Sequence, residues 1–215
     1  MKNFSVIITA GGSSSRYGKV NKLLERIKDK TVIEETVNKF TDFNEIDEII
    51  IPVNKEVKSE FEKLLNAKIK IINGGSTRQK SVYEGLKAVK NEYVLIHDGA
   101  RPLITKEIIK NCIDSTIKYN AVSVMTKTTD TIKEVDETGK IIRTIDRSKL
   151  YNTQTPQGFK TSLIKEAHEK LIDGNYTDDS SMLEELNIPV YIVNGSYTNI
   201  KITVKNDLEF AKIYL

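Results

Sequence analysis

A chain of 215 residues, 39% hydrophobic and 29% charged, fits one large domain with a sizeable core; its net charge of +3 gives no argument for nucleic-acid or membrane binding. The lone cysteine, Cys112, excludes an intrachain disulfide, and the two histidines have no zinc-type spacing with it. No run approaches membrane-spanning length, and the first apolar run breaks at Ala10-Gly11 without a signal-peptide pattern, so a cytoplasmic protein is expected.

Phe4 to Thr9 reads as a buried strand. The loop of small residues after it, Ala10 to Ser15, lets backbone N–H groups surround an anion, and Arg16 and Lys22 add full charges at its rim. This is a polyphosphate loop without P-loop or dinucleotide-fingerprint spacing; the alternative is a plain strand-to-helix turn. Thr31 to Phe40 has helical spacing, Asp47 to Val53 is an Ile-rich strand, and Lys55 to Asn66 reads as an amphipathic helix. Lys68 to Ile72 is a third strand, Ser76 is the expected cap of a helix reaching about Val89, and Tyr93 to His97 is a fourth strand. Thr105 caps a helix through about Tyr119, which buries Cys112, and Ala121 to Met125 is a fifth strand. Regular alternation implies a Rossmann-like, doubly wound, mostly parallel α/β sheet, with ligands beyond the carboxyl ends of its strands.

The pattern then changes. Two alternating segments flank a turn at Gly139 and predict a β-hairpin arm over about 130–147, with a simple edge extension of the sheet as the alternative. A short strand near Tyr151–Thr155, helices at about Thr161–Leu171 and Asp179–Leu186, a strand at Val190–Val193 and a closing helix at Asp207–Tyr214 follow, with His168 expected on the surface. Asn199 to Thr203 adds a candidate strand segment on which Lys201, between Ile200 and Ile202, points away from the apolar face. The whole chain, 1–215, is expected to form one domain.

Several positions suit phosphate and base recognition. Asp98 ends an apolar run, where a carboxylate serves as a hard-cation ligand, a helix cap or a partner of Arg101. Gly74-Gly75-Ser76, with Arg78 and Ser81, offers groups able to read a base edge; a turn with a helix cap is the other use. Arg147 suits a phosphate grip or a solvated pair with Asp146, and Thr177-Asp178-Asp179 opens a helix, where simple capping is the alternative.

In order, the strings Ala10-Gly-Gly-Ser-Ser-Ser-Arg16, Asn21-Lys-Leu23, Gly74-Gly75 with Arg78 and Ser81-Val82, His97-Asp-Gly-Ala-Arg-Pro102 and Asp130-Thr-Ile132 are joined by Asp146-Arg147, Thr153-Gln-Thr-Pro-Gln157, Thr177-Asp-Asp179 and Asn199-Ile-Lys-Ile-Thr203. Together they resemble the 2-C-methyl-D-erythritol 4-phosphate cytidylyltransferase family. Ser14 stands where that family usually has a glycine, Lys22 lies one residue closer to Arg16, and Thr129 replaces a more usual cation. The resemblance implies that Arg16 and Lys22 bind the CTP phosphates and stabilise the transition state. Ala10, Gly11, Gly12, Ser13, Ser14, Gly75, Ser76, Arg78, Ser81, Asp98, Gly99 and Ala100 would form the nucleotide side. Asp98, Arg101, Thr131, Arg147, Thr155, Thr177 and Lys201 would face the polyol phosphate, with Arg147, Thr177 and Lys201 on its phosphate. Asp98 would approach Mg²⁺ or another divalent cation, and the hairpin arm would cross to the second subunit of a homodimer. The expected reaction is CMP transfer from CTP. A ribitol-5-phosphate cytidylyltransferase and a non-catalytic nucleotide-binding regulator are the rival expectations.

Overall fold

A computed structural model describes residues 3–10, 17, 21–64, 66–174 and 176–215. Strand β1 (Phe4–Thr9) leads to a short ladder, β2 (Arg26–Ile27) with β3 (Lys30–Thr31). Helix α1 (Val32–Thr41) opens on a capping box between Thr31 and Glu34. After β4 (Ile46–Val53), the expected helix is broken. Only Lys58–Phe61 is α-helical (α2), between single 3₁₀ turns at Lys55–Val57 and Glu62–Leu64. Phe61 is its one buried residue and no side chain caps it, so little holds a continuous ladder there.

Strand β5 (Ile69–Asn73), helix α3 (Arg78–Ala88), strand β6 (Tyr93–Asp98), helix α4 (Lys106–Tyr119) and strand β7 (Ala121–Lys127) continue the alternation. The hairpin forms as β8 (Ile132–Val135) and β9 (Ile141–Ile145). Strand β10 runs over Tyr151–Lys160, twice the expected length, with a register shift between Thr153 and Gln157 that accommodates Pro156. A Cβ at Gly158 would lie 2.0 Å from Thr116 Oγ1, so glycine lets α4 press directly on this strand. Helices α5 (Thr161–Lys170) and α6 (Ser180–Glu185), strand β11 (Tyr191–Asn194) and helix α7 (Lys205–Tyr214) complete the order. Residues 199–203 form no strand; they lie against the end of β6, with the Ile202 N–H donating to the Ala100 carbonyl at 2.8 Å.

Among the described residues the main sheet has the order β11-β7-β10-β6-β1-β4-β5. All neighbours are parallel except β10, which runs antiparallel between β6 and β7. The expected α/β architecture is present, with apolar clusters on both faces of the sheet. Fully buried Val6, Ile8, Ile49, Ile51 and Leu95 belong to one cluster, and Ile7, Ile50, Val94 and Ile96 to the other. Near-continuous apolar strands of this kind are what a sheet covered on both faces requires. The chain leaves β1 toward β4 on one side and is met by β6 on the other, and the two central strands end in register at Thr9 and Asp98. That is the switch point where open α/β sheets bind ligands.

Candidate functional site

Asp98 is the last residue of β6, and 6% of it is exposed. Its backbone N–H donates to Thr155 Oγ1 at 3.0 Å, so β10 fixes the strand end. The Thr9 hydroxyl donates to Oδ1 at 3.3 Å. Three cations surround the carboxylate: Lys201 Nζ lies 2.8 Å from Oδ2, Arg101 Nε 3.6 Å from Oδ2, and Arg78 Nε 3.5 Å from Oδ1. Burial alone would raise the carboxyl pKa, but the charges of Arg78, Lys201 and Arg101 hold it far below the usual carboxylate range.

Arg101 also braces the segment that carries Lys201, donating from Nη1 to the Asn199 carbonyl at 2.8 Å. Asn199 is fully buried and donates to Gln154 Oε1 and the Thr155 carbonyl. Lys22 donates from Nζ to the Ile202 carbonyl at 2.7 Å, placing this predicted cation one residue from Lys201. Lys201, expected on a strand, thus reaches the cleft from a loop pinned at both sides.

On the opposite side, Thr77 rather than Ser76 caps α3, accepting from the Lys80 N–H; Ser76 is exposed. The Thr77 side chain has the geometry for the cap, with the first helical residue being Arg78 rather than Thr77. Ser81 accepts from the Gly75 N–H at 3.1 Å and donates to the Thr77 carbonyl at 2.8 Å. A Cβ at position 75 would lie 2.4 Å from Lys80 Cβ, so the turn into α3 needs glycine there. Burial works against the Arg78 charge, and Asp179, then Asp98, more than restore it.

A cleft of about 340 Å³ runs between Arg78, Asp98, Arg101 and Lys201; Lys22, Gly75, Ser76 and Ser81 are not among its described lining residues. Arg78, Asp98, Arg101, Thr155, Thr177 and Lys201 line it, all of them sequence-predicted. Asp178, named with Thr177 and Asp179 at the start of a helix, lines it too, as do Gln154 and Glu184, which the sequence reading does not single out. Gln154 lies inside one of the sequence strings quoted above, the one signal available for it. Gly99 and Ala100 are buried directly after Asp98 and are not among the cleft's described lining residues; Gly99 donates to the Thr9 carbonyl and Ala100 accepts from Ile202. Ala10 is buried at the end of β1. Gly11, Gly12, Ser13, Ser14 and Arg16 lie outside the described residues.

Thr131 and Arg147 are not brought to this cleft; both are exposed at the base of the hairpin, where Arg147 donates to the Thr129 carbonyl. His168, expected on the surface, is 1% exposed. It follows Ile164 by four residues and Ala167 by one, on the buried stripe of α5, and its Nε2 lies 3.2 Å from Asp179 Oδ1. That spacing was the signal for its burial.

Among the described residues no group of three or more His, Cys, Asp or Glu side chains could hold a metal ion. Asp98 offers the oxygen ligands that a hard cation prefers, and in this structure those oxygens are paired with Lys201, Arg101 and Arg78. No helix among the described residues is long and apolar enough to cross a membrane.

Comparison with known proteins covers nearly the whole chain. The family model of 2-C-methyl-D-erythritol 4-phosphate cytidylyltransferase (IspD) matches residues 4–215. The protein of that name from Bacillus pumilus (strain SAFR-032) is 42% identical over 220 residues, spanning 97% of this chain and 95% of its own. That from Prochlorococcus marinus (strain MIT 9312) is 44% identical over 218 residues, spanning 97% and 96%. The crystal structure of 4-diphosphocytidyl-2C-methyl-D-erythritol synthase from Anaerococcus prevotii DSM 20548 superposes with a TM-score of 0.87 at 35% identity, covering 99% of this chain and 96% of that one. The chain belongs to the 2-C-methyl-D-erythritol 4-phosphate cytidylyltransferase family.

Proposed function

We propose that this protein transfers CMP from CTP to 2-C-methyl-D-erythritol 4-phosphate, giving 4-diphosphocytidyl-2-C-methyl-D-erythritol and pyrophosphate. The observation that carries the reading is the convergence of Lys201, Arg78 and Arg101 on Asp98 in one cleft at the switch point, in a chain of this family.

An oxygen of the acceptor phosphate attacks the α-phosphorus, and the bond from that phosphorus to the β-phosphate oxygen breaks as pyrophosphate leaves. Two anions must be brought together, and negative charge grows on the leaving side. Fixed cations answer both needs without a covalent enzyme intermediate. In this reading Arg16 and Lys22 hold the triphosphate and stabilise the leaving charge. Gly75, Ser76 and Ser81, with the loop 10–14, face the cytosine. Lys201 and Thr177 hold the acceptor phosphate, while Arg101 and Thr155 keep Asp98 and the 199–203 segment in place. Mg²⁺ arriving with the nucleotide would neutralise part of the triphosphate charge, with Asp98 as its protein ligand.

The reading includes a homodimer. Ile132, Val135, Ile141 and Ile142 of the hairpin are 37–58% exposed, which suits an arm laid on a second subunit, and Arg147 at its base would then enter the neighbour's cleft. Residues 1–215 would act as one nucleotidyltransferase domain, in the cytoplasm.

The test is product identification. CTP, the acceptor and Mg²⁺ incubated with the protein should give, by phosphorus-31 NMR, a new unsymmetrical diphosphate and free pyrophosphate. Unchanged CTP, or its hydrolysis to CMP alone, would contradict the assignment.

A further inference from the structure

Asp179 is 1% exposed, and a carboxylate taken so far from water needs partners. It immediately precedes α6, yet its side chain makes no cap hydrogen bond. Asp178 serves the first turn instead, its Oδ1 accepting from the Ser181 N–H at 3.2 Å. Gln157, fully buried in β10, accepts through Oε1 from the N–H groups of Asp179 at 3.0 Å and Ser180 at 3.3 Å. The backbone at Asp179 is therefore fixed from the sheet, and its carboxylate turns to two side chains from other helices.

One is His168 of α5, whose Nε2 is 3.2 Å from Oδ1. The ring lies parallel to that of Tyr83, 4° apart at 6.1 Å between centroids. Its Nδ1 has no hydrogen-bond partner among the described residues, so the ring proton is best placed on Nε2 and given to Asp179. The other is Arg78 of α3, whose Nη2 lies 2.8 Å from Oδ2. Its Nε lies 3.5 Å from Asp98 Oδ1. The guanidinium is thus held between two carboxylates on different elements.

We propose that Asp179, backed by His168, is a positioning residue for the nucleotide side of the cleft: it holds the Arg78 guanidinium between itself and Asp98, so that the group faces a bound nucleotide instead of closing bidentately on Asp98 alone. A planar fork with one carboxylate partner prefers to close on it bidentately, and a long side chain with several rotatable bonds has the freedom to do so. A second carboxylate in a different direction removes that freedom. The inference rests on the reading of this cleft as a CTP-dependent transferase.

The test is steady-state pyrophosphate release by the full chain and its Asp179→Asn variant, with CTP and the acceptor varied separately. Misplacing a substrate-facing cation predicts a loss of about 10- to 100-fold in kcat/KM for CTP, carried mainly by KM for CTP, with KM for the acceptor little changed. Asp179→Asn added to Arg78→Ala should cost nothing beyond Arg78→Ala alone. His168→Leu should reproduce a smaller loss of the same kind and His168→Gln should restore it, which keeps the inference testable if Asp179→Asn fails to fold. Additive effects, CTP bound as tightly or more tightly by Asp179→Asn, or no rescue by His168→Gln would overturn it. A wild-type protein that releases no pyrophosphate would instead overturn the functional reading on which it rests.

Discussion

Lys201 Nζ stands 2.8 Å from Asp98 Oδ2, although the two residues come from a loop near the end of the chain and from a central strand. The loop is held by Arg101 on the Asn199 carbonyl and by the Ile202 N–H on the Ala100 carbonyl, so this ion pair is presented by a rigid frame. Lys201 is 38% exposed, and an ion pair that open to water stabilises a fold little. Lys201→Met should therefore leave the thermal midpoint nearly unchanged, while kcat/KM for the acceptor falls by about 100- to 1,000-fold, the cost of removing a preorganised charge. Thermal scans beside acceptor-dependent kinetics check this; a large loss of stability with normal kinetics would make Lys201 a structural residue.

His97 gives the protein a pH dependence. Burial pushes its pKa down to about 4, against the pull of neighbouring Asp98. Thr155 Oγ1 lies 3.0 Å from Nδ1 and the Arg101 carbonyl 3.3 Å from Nε2, so the neutral ring is satisfied on both sides. The unfolded chain, with an ordinary histidine, binds the proton near pH 6.5, and the folded one only near pH 4. The stabilisation is complete above pH 6.5 and is lost as pH falls toward 4, by about 3 kcal/mol in all. Urea unfolding of wild type and His97→Gln across this range should give a difference that changes with pH in that direction. A pH-independent difference would contradict it.

Gly75→Ala places a methyl group where Lys80 Cβ is 2.4 Å and Lys80 C is 2.7 Å away. The first turn of α3 must shift, at a cost of about 1–3 kcal/mol in stability. Because Ser81 ties this turn to the helix through the Gly75 N–H, KM for CTP should rise as well. Urea unfolding with CTP-dependent kinetics would show both effects, and an unchanged protein would show that the turn tolerates a side chain.

Cys112 is fully buried in α4, its thiol pushed up to about 12 by burial and facing the Pro156 carbonyl. A thiol reagent at pH 8 should react only as fast as the protein unfolds, and completely in urea. Prompt labelling of the native protein would contradict this packing.

The alternation of elements was legible because β1, β4 and β6 are continuous apolar runs and α1 and α4 carry clear caps at Thr31 and Thr105. β10 was read too short because Pro156 and Gly158 normally break a strand, whereas here a register shift and the close approach of α4 make use of them. Around the cleft, Asp98 could be found from local sequence as a charge that ends an apolar run, and Lys201 as a charge set between Ile200 and Ile202. Asp179 and His168 could not be paired that way, since their meeting depends on how α5 and α6 pack. Ser76 and Thr77 illustrate the smallest error: adjacent hydroxyls look alike in sequence, and only the backbone decides which one caps.

Which acceptor the cleft takes defines the transfer reaction. Initial rates of pyrophosphate release with CTP and Mg²⁺, measured with 2-C-methyl-D-erythritol 4-phosphate and with ribitol 5-phosphate over matched concentrations, test it most directly. The kcat/KM for the methylerythritol phosphate should be at least about 100-fold higher, the discrimination expected of a site built for one set of polar groups. Equal use of the two acceptors, preference for ribitol 5-phosphate, or no release with either would contradict it.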